Sequence, residues 1–347
     1  MSNFLAWKRV DGQFFGEGSH SIEKLQKPWP PEASYELIET SYFGFSIPEH
    51  KINCEIYFWL HPVFNVASGG VMIFQGIKEA HNRADFLDYR NYMPIPDDIT
   101  NCTYANGVRV KMIRPLEEFE ISYADPESGT AFRFTARAIM PPAFRAAGGH
   151  ITQAMKTEGS LSLNGRDYKI DNYFSRDRSW GDPRTEVRKD VPPFGWHVMV
   201  FDDDLAFHVC GFESPELKPS IGDRYPSLRG NSFIWGYVWK GGRLLGVLDC
   251  RKTVVRGDGV TPQRINLEID DETGETHRIE GVIESLLPME TWPNLTCFWA
   301  LTRWTYEGRT GYGDTQEGVY NRFVLENLRA PGPEEAPTVR DVEVPSP

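Results

Sequence analysis

Between residues 36 and 325 the chain is written in short runs of apolar and β-branched residues, cut at intervals by glycine, asparagine, aspartate and proline. Six such runs come early: Glu36–Ser46, Ile52–Leu60, Gly70–Gln75, Val108–Arg114, Glu118–Tyr123 and Ala131–Ile139. Within the last of these, FRFTARA alternates apolar and polar positions, the period of a strand with one face buried. Glu127-Ser128-Gly129 reads as the hairpin turn before it. The sharpest local signal is SLSL, then Asn164-Gly165, then RDYKIDNYF. Both central residues of a type I′ turn need positive φ, which Asn and Gly tolerate best, so this is a hairpin.

Beyond Pro192-Pro193 the same style repeats. GWHVMVF and LAFHVCGF flank Asp202-Asp203-Asp204, and FIWGYVWK and RLLGVLDCR flank Gly241-Gly242. Gln263–Asp270 and His277–Glu284 flank a further turn, and Cys297–Tyr306 with Gly313–Phe323 end the patterned region. Only Lys78–Arg90 reads as a helix. Many short strands with regular turns predict an all-β protein of two barrel or sandwich units in tandem. The expected division is an N-terminal arm over 1–35, β domains over 36–190 and 191–328, and a disordered tail over 329–347.

Composition narrows the partners. The formal net charge is −12 with no basic run, which argues against nucleic acid. No stretch approaches the roughly 20 apolar residues of a membrane helix, so no integral membrane segment is expected. The first residues lack a basic-then-apolar leader, and the five cysteines are scattered without CxxC spacing; both point to a reducing, cytoplasmic setting. Aromatics reach 13%, enough to line an apolar cavity as well as fill cores. Exposed strand edges leave a homodimer open. Nucleotide, P-loop, HExxH and GxSxG signatures are absent, so no cofactor or metal is expected. His197 and His208 would face each other across their hairpin if its turn is Asp202-Asp203, but no third ligand stands nearby.

The most informative stretch is Tyr168–Arg184, YKIDNYFSRDRSWGDPR. A period of two puts Asp171, Tyr173, Ser175 and Asp177 on one face, and Ile170, Asn172, Phe174 and Arg176 on the other. Gly181 and Pro183 bend the chain after it. Two readings stand side by side. Asp177 is either clamped by Arg178 or Arg184 at a domain corner, or is a carboxylic acid at the mouth of an apolar cavity, where desolvation raises its pKa.

The run FSRDRSWGDPR resembles the D-[HR]-x-[WR]-G corner of the carotenoid 1,2-hydratase (hydroxyneurosporene synthase) and AttH-like superfamily. With His150-Ile151-Thr152-Gln153 and TEGSLSLNG, it resembles a bacterial branch of that superfamily, and Gln316-Glu317-Gly318 is similar to a Trp-Glu-Gly often found there. Arg178 stands where the carotenoid enzymes often carry histidine. The resemblance implies two lipocalin-like (calycin) units and an acid at Asp177 that protonates an alkene. It implies an aromatic position at Trp180 and a late acidic position at Glu317. The expected activity is a cofactor-independent hydratase, dehydratase, or acid-catalysed cyclase or isomerase, acting on a hydrophobic terpenoid, steroid or polyketide-like substrate. Tyr173, Asp171 or Glu317 would orient water or remove a proton. Trp180, Trp196 and Trp235 would shield a cation, with His197 among the substrate-binding residues. The alternative is a non-catalytic lipocalin-like carrier of an apolar ligand.

Overall fold

A computed structural model of the chain describes residues 7–9, 23–25, 35–145, 149–180, 190–292 and 294–327. Most of the N-terminal arm, the corner residues Gly181, Pro183 and Arg184, and the tail lie outside them.

Twelve strands form the first unit: β1 (Trp7–Arg9), β2 (Glu39–Ile47), β3 (Ile52–His61), β4 (Val66–Gln75), β5 (Phe86–Pro94), β6 (Asn101–Thr103), β7 (Arg109–Arg114), β8 (Glu118–Asp125), β9 (Thr130–Ala138), β10 (Ala143–Arg145), β11 (His150–Leu163) and β12 (Arg166–Ser179). They join in one antiparallel sheet, ordered β5-β4-β3-β2-β12-β11-β9-β8-β7-β6, with β10 pairing β11 and β1. Eight more make the second unit: β13 (Phe194–Asp202), β14 (Leu205–Phe212), β15 (Phe233–Lys240), β16 (Arg243–Arg256), β17 (Pro262–Asp271), β18 (Thr276–Trp292), β19 (Leu295–Tyr306) and β20 (Arg309–Tyr320). These close in chain order into a barrel, β20 pairing β13. An eight-stranded up-and-down barrel is the lipocalin architecture. The fold is all-β, as the turn pattern predicts.

The hairpins follow the local chemistry. Asn164 and Gly165 both take positive φ between Leu163 and Arg166, which pair directly. Gly241 and Gly242 do the same between Lys240 and Arg243. Thr130–Ala138 alternates buried with more open positions, as FRFTARA predicts. Two expectations change. Residues 78–90 form no α-helix; a 3-10 turn at His81–Arg83 leads into β5, because Phe86, Tyr89 and their neighbours gain ladder bonds along the edge of β4. The last patterned run also stops as a strand at Tyr320, and Asn321–Asn327 is helical.

Four apolar clusters order the molecule. One fills the first unit around Phe45, Ile56, Phe58 and Phe134, and one fills the barrel around Phe207, Leu267, Ala300 and Trp304. The other two join the units. One sets Ala154 of the sheet against Val198, Trp235 and Tyr237 of the barrel, the other Tyr42 and Tyr57 against Leu287 and Trp299. Strand β3 is therefore covered on both faces, and nine of its ten residues, from Ile52 to Leu60, are buried. Lys78 and Leu286 add backbone bonding between the units, Lys78 N–H donating to the Leu286 carbonyl at 2.8 Å.

The strand β12 carries two buried cations on its core side. Arg176 reaches Glu23 at 2.7 Å and lies 4.3 Å over the Phe119 ring, while Arg178 pairs with Glu39. Replacing Arg176 by methionine leaves the Glu23 carboxylate buried without its cation. Equilibrium urea unfolding should show a loss of about 3–5 kcal/mol.

Candidate functional site

Alternation along β3 sends Cys54, Ile56 and Phe58 into the sheet's own core. The intervening residues Asn53, Glu55, Tyr57 and Trp59 face the barrel. The register pairs Tyr57 of β3 with Tyr42 of β2, and Tyr42 in turn with Asp177 of β12. On β20 the same period points Thr315 and Glu317 inward and Asp314 and Gln316 out toward the sheet. The two outward-facing sets meet.

At the meeting point the Tyr42 hydroxyl contacts two carboxyls, Glu55 and Asp314 Oδ2, the latter at 2.6 Å. Asn53 Nδ2 donates to Glu55 Oε1 at 2.5 Å, and Gln316 Nε2 to Asp314 Oδ2 at 2.9 Å. Tyr42 has one hydrogen and can donate it to only one partner at full strength. The second contact is best satisfied when one carboxyl carries a proton of its own. Glu55 and Asp314 are both fully buried, and their hydrogen-bond partners among the described residues, Tyr42, Asn53 and Gln316, are uncharged. Burial accordingly pushes Asp314 up to about 6, and burial with the neighbouring Asp314 raises Glu55 well above the carboxylate range. Asp314 Oδ1 is buried without a hydrogen-bond partner. Burial and mutual proximity thus favour the protonated form of the pair.

Rings surround this cluster. Tyr42 lies 5.5 Å from Tyr57 and 6.1 Å from Trp299, and Tyr57 lies 5.1 Å from Trp59. Trp59, Tyr89 and Trp292 line a cavity of about 690 Å³ at the edge of the interface. That volume is in the range of small-molecule sites. Tyr57, in edge-to-face contact with both Trp59 and Tyr42, lies between the cavity wall and the acids.

The residues singled out in the sequence fall into separate places. Asp177 is buried and shares the Tyr42 register, so it belongs to the interface. Arg176 and Arg178 are engaged with Glu23 and Glu39, and Arg184 is outside the described residues. Asp171 is exposed, and hydrogen bonds from Lys156 and Lys169 hold it down to about 2, an ionised surface carboxylate. Tyr173 donates to Asp203 at 3.0 Å, and burial with that bond pushes its phenol up to about 12. Trp180 is half-buried, 6.1 Å from Phe144. Trp196 and Trp235 sit 5.4 Å apart against His150 and His208, in the other apolar cluster between the units.

Glu317 and His197 lie inside the barrel. Glu317 receives Lys252 at 2.6 Å and Arg256 at 2.5 Å, with His197 Nε2 at 3.1 Å. The two cations hold Glu317 far below the carboxylate range despite its burial, and burial lowers His197. The histidines do not face each other: Val198, not His197, pairs with His208, because Asp202 pairs with Leu205 and the bulge after Val200 sets the register. His197 points into the barrel and His208 out of it.

Tyr42, Glu55 and Asp314 escaped the sequence reading. The available signal was a lone carboxylate inside the apolar run of β3, INCEIYFWL. A charge there requires a partner across the sheet, and only the packed units supply it.

Two stability tests follow from the opposite settings of these acids. Glu317→Gln leaves Lys252 and Arg256 without their shared anion and should cost about 3–5 kcal/mol in denaturant unfolding. Because the folded state depresses Glu317, its contribution is present above the unfolded carboxyl pKa and fades as pH falls below it. Asp314 has the reverse sign: its folded pKa is raised, so its contribution is present at acid pH and lost as pH rises through about 6. Asp314→Asn should therefore gain in melting temperature relative to the parent between pH 5 and pH 8. A difference that does not change with pH would contradict the buried-acid assignment.

Ten solved chains are similar to this one, and two of them are described. Kievitone hydratase from Nectria haematococca aligns at 13% identity with a TM-score of 0.49, covering 82% of this chain and 88% of that one. An AttH-like protein from Nitrosomonas europaea aligns at 14% identity with a TM-score of 0.47, covering 85% of this chain and 97% of that one. Neither likeness bears on the reaction. Comparison with curated proteins returns no match. The family described as a domain of unknown function, DUF7064, matches residues 20–319, and the chain belongs to it.

Proposed function

We propose that the chain is an enzyme that adds water to, or removes it from, a carbon–carbon double bond of an apolar small molecule. The observation that carries this reading is the Glu55–Asp314 pair bridged by Tyr42, buried between sheet and barrel, with Tyr57 packed between Tyr42 and Trp59 of an aromatic cavity. A carboxyl kept protonated near neutral pH is the group needed to give a proton to carbon.

In the proposed step the protonated carboxyl of the pair gives its proton to one alkene carbon. The positive charge left on the other carbon lies over aromatic faces, with Tyr57 and Trp299 standing 5.5 and 6.1 Å from the Tyr42 ring that bridges the acids. Water attacks that carbon and loses a proton to the carboxylate just formed. One water is added, and the pair returns to its starting state. Dehydration is the reverse. If the cation loses a proton instead of gaining water, the same groups perform an isomerisation or a cyclisation. Every proton is supplied by the chain or by water. Tyr42 fixes the two carboxyls relative to each other and passes the proton between them. Asp177, opposite Tyr42, is a third carboxyl in reach of this chemistry, in the acid role that its corner motif implies or as a positioning group.

Native mass spectrometry of the purified protein, followed by product analysis in ¹⁸O-labelled water, identifies the substrate. On it, Asp314→Asn and Glu55→Gln should each lower kcat by about 10²–10⁴ with little change in KM. A loss of that size in Asp177→Asn, with Asp314→Asn and Glu55→Gln still active, would make Asp177 the donor. Full turnover by folded Asp314→Asn and Glu55→Gln would sink the acid pair, and a ligand that leaves chemically unchanged would favour the carrier.

A further inference from the structure

The aromatic cavity at the edge of the interface is walled by rings set at angles to one another. Trp59 lies 5.5 Å from Trp292 with the planes inclined by 35°, and 5.9 Å from Tyr89 with the planes inclined by 66°. Parallel walls would make a slot for a flat molecule, whereas walls this inclined enclose a rounded group. Phe64 and Tyr92 also line the cavity and are open to water, 59% and 81% exposed. Tyr92 takes a left-handed φ of 61°, on the bulge where Asn91 and Tyr92 stand opposite Ser68 alone. A bulky side chain is rarely held so, and here no burial of the ring offsets it, which points to a ligand.

The charge on these walls favours one sign of ligand. Glu36 and Glu290 line the cavity, Glu290 exposed, and no lysine or arginine stands among the described lining residues. His61 is the one basic group there, and even protonated it leaves a net charge of −1 (+1 − 2). An anionic group would enter against that charge, and a cation would enter with it. Rings add to the attraction, because the π-cloud is negative over each face. An alkylated ammonium is rounded, needs few hydrogen bonds, and touches several faces at once.

We infer that the cavity binds a small organic cation, an alkylated ammonium carried on an apolar body, its head against the aromatic walls and its charge balanced by Glu36 and Glu290. That this ligand is also the substrate rests on the reaction proposed above; that it binds rests on the cavity alone. Trp292 and Glu290 hold the head and take no part in proton transfer. The apolar body fills the rest of the 690 Å³, beside Ile38 and Met289.

Calorimetric titration of the full chain with two cations and their uncharged carbon isosteres tests this. The pairs are phenyltrimethylammonium against tert-butylbenzene and choline against 3,3-dimethylbutan-1-ol, with 4-tert-butylbenzoate as the anionic probe. At least one cation should bind about tenfold or more tightly than its isostere, and the benzoate more weakly than that cation. Trp292→Leu keeps an apolar wall and Glu290→Gln keeps the shape. Each should weaken the cation by about threefold or more and change the isostere by less than about twofold. Equal binding within both pairs, tighter binding of the benzoate, or no saturable binding of either cation would overturn the inference. So would a cation affinity that both variants leave unchanged; if Trp292→Leu does not fold, the parent and Glu290→Gln decide. Turnover by Asp314→Asn separates this site from the proposed reaction. A cation preference in the parent with turnover retained by that variant sinks only the acid pair, whereas turnover lost with no cation preference sinks only the cation site.

Discussion

The contact of the Tyr42 hydroxyl with Glu55 and Asp314 is the interaction on which the arrangement of the two units turns. It joins the second and third strands of an open sheet to the last strand of a closed barrel, in a place where neither carboxyl has water to ionise into. Burial of rings around it supplies the apolar area that holds sheet and barrel together. The same burial forces the carboxyls to share protons and not to repel as two anions. Stability at the interface and the raised proton affinity of its carboxyls have one cause.

Glu317 shows what the alternative looks like. It is as deeply buried as Glu55 and only three residues beyond Asp314, yet Lys252 and Arg256 make it a permanent anion. Strand alternation decides between the two outcomes. Residues facing into the barrel meet its cations, and residues facing out meet the aromatic surface of the sheet. Two acids on one strand thus acquire opposite proton affinities from the side on which they project. Only the outward one is suited to give a proton away.

Much of the architecture is legible in the sequence alone. Asn164-Gly165 and Gly241-Gly242 announce their hairpins because positive φ is a local requirement that few residues meet. The helix expected at residues 78–90 fails for the opposite reason: the spacing tolerates a helix, but an unpaired edge of β4 offers the segment a ladder. The corner motif led to Asp177 in the same way, by local pattern and resemblance, and the register then set it beside Tyr42. Its companions on the expected face separate, since Asp171 lies beyond the cover of the barrel and is held by two lysines.

By itself the sequence determined the class of fold, the hairpins that build it, and the presence of a carboxylate-bearing strand leading into a corner after it. These depend on period, turn chemistry and composition, all of which act over a few residues. Which carboxyls become acids was decided only by the tertiary structure. Glu55 and Asp314 are 259 positions apart (314 − 55), and nothing local to either marks it as half of a pair. Their proton affinity comes from mutual proximity and from the removal of water, and both exist only once the barrel has closed and packed against the sheet.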